Sequence, residues 1–173
     1  FYDPDTARDE APVLGALASL ADIFPRLEHL ALAGRDLDLG AWRFPHLRHA
    51  ELHFARPEQP TVAAFPRAAW PHLISLRLGL GNFLSNDRAD EALAVPGPIL
   101  TAERMPQLRH LALVHPPDAD AVCGVLARSP AVARLETLEI SESNLTGAGA
   151  RELARARPRF TKVRRLDLCG NLL

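Results

Sequence analysis

The chain has 173 residues, a formal net charge of -1 and 47% hydrophobic residues. That balance excludes a disordered tail and a polybasic or polyacidic chain, and the length suffices for one domain with a sizeable core. No apolar run approaches a membrane span and no signal peptide opens the sequence. Two cysteines, Cys123 and Cys169, make no disulfide framework, so a cytoplasmic, reducing setting is expected. Lys162 is the only lysine among 20 basic residues. With the many alanines, this arginine bias suggests a GC-rich bacterial genome. The first residue is Phe, and residues 1–173 read as a single domain that is a fragment of a longer chain.

Residues 1–10 are polar and read as a loop. A helix is predicted over residues 11–23, with Pro12 in its first turn and Leu14, Leu17, Ala18 and Ala21 on one face. Phe24-Pro25 stops it. A frame of the form Pro-x-Leu-x-x-Leu-x-Leu then begins and recurs. It reads Pro25-Arg26-Leu27 through Leu32, Pro45-His46-Leu47 through Leu52, Pro71-His72-Leu73 through Leu78, and Pro106-Gln107-Leu108 through Leu113. Two further copies lack the proline, Leu135 through Ile140 and Val163 through Leu168. Their first positions, 27, 47, 73, 108, 135 and 163, are 20 to 35 residues apart, a period typical of solenoid repeats.

Between the frames the return segments vary. One or two helical turns are expected over residues 60–69. A loop is expected through Val95-Pro96-Gly97-Pro98, and a short helix near 99–104. Asp118–Arg128 reads as a helix with Val122, Val125 and Leu126 inward. Thr146–Arg157 reads as another, with Thr146 as N-cap and Ala150, Leu153 and Ala154 inward. Phe24, Phe44, Trp70 and Met105, each before a proline, are expected to fill core corners. The interval 83–104 is the main irregularity of the repeat.

In each frame the last two apolar residues are two apart and share one side of a strand, while the residues between them face the other way. Parallel stacking would bury the leucines and leave an open, concave face. Its first row holds His29, His49, Ser75, His110, Thr137 and Arg165. Its second holds Ala31, Glu51, Arg77, Ala112, Glu139 and Asp167, and His53, Val114, His115, Ser141 and Glu142 lie further along.

The frames resemble a leucine-rich-repeat domain. Leu138-Glu139-Ile140-Ser141-Glu142-Ser143-Asn144-Leu145, continuing to Gly149 and Leu153, looks like the ribonuclease-inhibitor type. The earlier repeats are similar to a group of bacterial cytoplasmic leucine-rich-repeat proteins. The resemblance covers residues 11–173. It implies an α/β solenoid with a curved inner sheet of about six parallel strands and helices or irregular segments on the convex side. The family's asparagine at the ninth repeat position is here Arg35, Ala55, Gly81, Pro116, Ser143 and Asn171, so only the last repeat keeps it.

The function expected is non-catalytic protein binding. The candidate partner-binding residues are His29, His49, Glu51, His53, Ser75, Arg77, His110, Thr137, Glu139, Arg165 and Asp167 on the concave face. Alternatives are a regulatory domain that inhibits or activates a larger enzyme or sensor, and a structural scaffold segment. His29, His49 and His53 with Glu51 could approach a metal ion, but no further ligand completes a set, and neither metal nor other cofactor is expected. Arg151, Arg155, Arg157, Arg159, Lys162, Arg164 and Arg165 form a basic cluster. Only Phe160 is an aromatic neighbour, so a solvated face is favoured over nucleic-acid binding. No Cys-His spacing suggests a nucleophile, and no Gly-rich phosphate loop is present.

Overall fold

The computed structural model describes residues 20–34, 43–54, 70–80 and 105–173. The expected helix over 11–23 is described only at its end, α1, Leu20–Ile23. The segments expected at 60–69, 95–98 and 99–104 lie outside the described residues.

Six strands form one all-parallel sheet whose spatial order follows the sequence: β1 His29–Gly34, β2 His49–Phe54, β3 Ser75–Gly79, β4 His110–Val114, β5 Thr137–Ser141 and β6 Arg165–Asp167. The proline motif explains how each strand is entered. In the four proline-led repeats the residue before proline offers its carbonyl to the N–H three residues on. Leu27 donates to Phe24, Leu47 to Phe44, Leu73 to Trp70 and Leu108 to Met105, at 3.1–3.4 Å. This is a β-turn with proline at its second position, where a fixed φ is already suitable.

One residue before each of β1 to β5, a single carbonyl then accepts two N–H groups from the next repeat. Glu28 accepts from Arg48 and His49, Arg48 from Ile74 and Ser75, and Ile74 from Arg109 and His110. Arg109 accepts from Glu136 and Thr137, and Glu136 from Arg164 and Arg165. These pairs pin a common register, so equivalent residues align across the sheet.

The inward leucines make the core. Leu47, Leu52, Leu73, Leu76, Leu78, Leu108, Leu111, Leu113, Leu135, Leu138 and Ile140 are buried in one cluster with Val122, Cys123 and Leu126 of the covering helix. Each such side chain contributes about 1.5–3 kcal/mol on burial. Phe44, Trp70 and Met105 fill corners as expected, but Phe24 is 52% exposed. It occupies the same turn slot at the β1 end, where no earlier described repeat lies against it.

Two helices cover the inner side of β4 and β5. α2 spans Ala119–Arg128 with Asp118 as N-cap, and α3 spans Gly147–Arg155 with Thr146 as N-cap. Val122 and Leu126 are buried and Val125 partly so. On α3, Ala150 and Leu153 are half-buried, whereas Ala154 is exposed, contrary to expectation. It belongs to an apolar hollow with Leu153, Phe160, Val163 and Leu166 that nothing described covers. A 3-10 turn at Pro130–Arg134 follows α2, started by the Ser129 hydroxyl accepting from the Ala131 N–H, and another at Arg157–Arg159 follows α3.

Asp120 of α2 joins the two helices. Its carboxylate accepts from the Thr146 N–H at 2.9 Å, the Thr146 hydroxyl at 2.6 Å and the Gly149 N–H at 3.0 Å. It thereby satisfies first-turn donors of α3 that have no partner inside their own helix. The Thr146 hydroxyl, then its N–H, hold the Asp120 carboxyl below the usual range. Gly149 is required here, since a Cβ would meet the Asp120 backbone at 2.9 Å and Leu145 at 2.6 Å.

The turns after β4, β5 and β6 share a left-handed residue: His115, Glu142 and Gly170. The ninth position follows each. Asn171 donates to the carbonyls of Ile140 and Leu168 at 2.7 and 2.9 Å and accepts from the Leu145 N–H at 3.3 Å. Ser143 makes one such bond, to the Pro116 carbonyl, and its neighbour Asn144 accepts from the Ala119 N–H.

Candidate functional site on the open sheet face

The register aligns the outward residues in two rows. The first runs His29, His49, Ser75, His110, Thr137, Arg165, and the second Ala31, Glu51, Arg77, Ala112, Glu139, Asp167. All eleven sequence-predicted site residues lie on this face, His53 beside Gly79 in the next row.

A chain of charges links the second row. Arg77 lies between two carboxylates, with Nη1 2.8 Å from Glu139 Oε2 and Nε 3.7 Å from Glu51 Oε1. Glu51 Oε1 lies 2.9 Å from His53 Nε2, and Ser141 donates to Glu139 Oε1 at 2.8 Å. At the β6 end, Asp167 accepts from the Cys169 N–H at 3.2 Å and lies 3.4 Å from Arg165. A hydrogen bond from the Cys169 side chain, then one from its N–H, lower the Asp167 carboxyl, and the same side-chain contact raises the Cys169 thiol. The buried Cys123 thiol is pushed up to about 12, first by desolvation and then by Asp120. Neither cysteine is an activated nucleophile.

Ser75, Arg77, His110, Ala112, Thr137, Glu139, Arg165 and Asp167 surround one depression of about 320 Å³. Thus seven of the predicted residues converge on a single hollow. The other four do not line it. Glu51 and His53 reach it only through Arg77, and His29 and His49 form a separate stacked pair, centroids 4.4 Å apart and planes 10° apart. Stacking keeps these two rings parallel, so their nitrogens do not converge on a common ion. Among the described residues, no group of three His, Cys, Asp or Glu side chains could hold a metal. Partial burial, then the charges of His29 and His110, lower His49.

Two small residues shape the face. Ala112 leaves the gap across which Arg77 reaches Glu139, and Gly79 leaves room for the His53 ring, which a Cβ would strike. The sequence carries a signal for the first: a small residue between Arg and Glu in one row.

The fold has a solved counterpart. A crystal structure of a protein from Bacteroides fragilis matches at a TM-score of 0.73 and 24% identity, over 88% of this chain and 43% of that one. The chain therefore spans less than half the length of that protein, and the likeness is one of fold alone. No family model matches, and no curated protein matches. Among the described residues, no helix is long and apolar enough to cross a membrane.

Proposed function

We propose that this chain is a leucine-rich-repeat solenoid segment acting as a non-catalytic protein-interaction module, with the open sheet face as its concave recognition surface. The observation that carries this reading is the in-register assembly of seven polar and charged side chains around one depression, beside an ion-pair chain that orders them. Ordered side chains lose less entropy on binding, which favours recognition. A cytoplasmic setting belongs to the same proposal and draws on two free thiols.

The test is partner capture with wild type and with a variant altered at Glu51, Arg77, Glu139 and Arg165. The wild type should retain a partner that the variant loses while both melt alike. Equal recovery by the two proteins would remove the open face from the proposal.

A further inference from the structure

We infer that the first row of the open face receives an extended acidic segment of a partner protein; this rests on the protein-binding reading above. The row crosses all six strands and consists of imidazole, hydroxyl and guanidinium groups, His29, His49, Ser75, His110, Thr137 and Arg165, with His110 Nδ1 and Thr137 Oγ1 sharing a hydrogen bond at 3.0 Å. Not one carboxylate stands in it. Several of these donors are uncommitted. The Ser75 hydroxyl has no hydrogen bond among the described residues, His29 and His49 contact one another by stacking, and exposed Arg165 has one 3.4 Å contact, to Asp167.

The row beside it, at the strand entrances, adds charge of the same sign. Arg48, Arg109 and Arg164 stand there against Glu28 and Glu136. Glu28 is already 3.7 Å from Arg48, whereas Arg164 has no ion pair among the described residues. Guanidinium forks at this edge suit carboxylates, which they can grip bidentately.

The second row carries three acids and one cation, which would by themselves attract a basic partner. Most of their oxygens, however, are already engaged: both of Glu139 by Arg77 and Ser141, Glu51 Oε1 by His53 and Arg77, and Asp167 Oδ1 by the Cys169 N–H. A basic partner would have to displace these donors, while an acidic one finds donors waiting.

Six strands about 4.8 Å apart span about 24 Å, the length of roughly seven extended residues. The two rows hold no Phe, Tyr or Trp on which bases could stack, so single-stranded nucleic acid is disfavoured as the polyanion.

The probe is a fluorescent seven-residue peptide alternating Glu with Ser, measured against a Lys-Ser peptide and a short oligothymidine. The expected result is saturable binding of the acidic peptide that weakens with salt. It should fall at least tenfold in an Arg109→Glu, Arg165→Glu variant and change less than threefold when the same charge reversal is made off the face, in an Arg151→Glu, Arg155→Glu variant of α3. All proteins should melt alike, and single substitutions to Gln replace any that do not. Preferential binding of the Lys-Ser peptide, lost when Glu51 and Glu139 are replaced by Gln, would overturn the acidic-segment inference and leave the open face as the binding surface. Tighter binding of oligothymidine, or no binding of the acidic peptide, would overturn it too. Acidic-peptide binding that the face variant and the α3 variant weaken equally, or that neither weakens, would count against the open face itself.

Discussion

Arg77 and Glu139 stand on strands separated by a third, and their side chains meet over Ala112, Nη1 to Oε2 at 2.8 Å. Their backbones are about 9.6 Å apart at the usual strand spacing. Only two long side chains with a short one between them can close that distance. The pair is partly exposed, with side chains 39% and 23% accessible, so its value lies in ordering the face more than in stability. Replacing Ala112 by Leu should part the two groups and fill the depression. Stability measured by urea unfolding should change by less than about 1 kcal/mol. Partner capture should drop to the level of the four-residue variant. Undiminished capture by Ala112→Leu would show that the hollow is not used.

Protonation of His49, stacked on His29, should make stability depend on pH. Partial burial is the first reason that His49 is lowered, followed by the charges of His29, His110 and Arg48, with Glu28 opposing. Ser75, the β3 neighbour in the same row, is uncharged. A histidine lowered in the native state binds its proton first in the unfolded chain, so stability rises with pH in this window. Nothing is lost well above pH 6.5. As pH falls through about 6.5 the unfolded state gains, and the loss levels off below the lowered native value. Melting temperatures recorded from pH 8 to 5 should therefore decline, and His49→Gln should flatten the curve. Imidazole titration by NMR should show His49 rising toward the ordinary value in His29→Ala. An unmoved His49 there would contradict the coupling.

The Asp120 bridge makes a different prediction, at the acid end. Asp120→Ala removes a capping acceptor shared by three donors and should cost about 0.5–2 kcal/mol. Gly149→Ala, which forces a methyl group against the Asp120 backbone and Leu145, should cost about 1–3 kcal/mol. The Asp120 carboxyl is lowered in the native state, so its contribution is complete above the ordinary carboxylate range and is lost as pH falls through the lowered value. Urea midpoints at pH 7 and pH 3 should differ less for Asp120→Ala than for wild type. Equal pH slopes would exclude Asp120 as a source of acid sensitivity.

The rows of the open face were legible because two short-range rules suffice for them: alternation along a strand and a repeated leucine frame. The Thr146 cap follows from equally local chemistry, whereas Asp118, read as the first residue of its helix, is instead its N-cap. What the repeat frame left hidden depends on neighbours far along the chain. Asp120 meets Thr146 across 26 residues, and no local pattern announces that pairing. Phe24 shares its turn slot with buried Phe44 and Trp70, yet burial depends on what lies to either side of the turn. The candidate site was legible as a set of outward residues but not as two groups. That His29 and His49 stack apart while seven others surround one hollow depends on side-chain reach, which Ala112 controls from between them.

Gly79 and His53 pair across β2 and β3, and that partnership yields a test of how tightly the face is fitted. A Cβ at Gly79 would strike the His53 ring at Nδ1, with Cε1 and Cγ both at 3.1 Å. The ring is movable, so Gly79→Ala need not disrupt the strand, but it must turn His53 aside and loosen its 2.9 Å contact with Glu51. Alanine also restricts the unfolded chain, a gain of about 0.4–1 kcal/mol where the native backbone accepts it. The two effects oppose each other, and Gly79→Ala alone should be close to neutral. In a His53→Ala background the clash is gone and the gain should emerge. A double-mutant cycle in urea should therefore give a coupling of at least about 0.5 kcal/mol. If Gly79→Ala has the same effect in both backgrounds, the glycine is not there for the histidine, and the Glu51–His53 end of the network is held by something else.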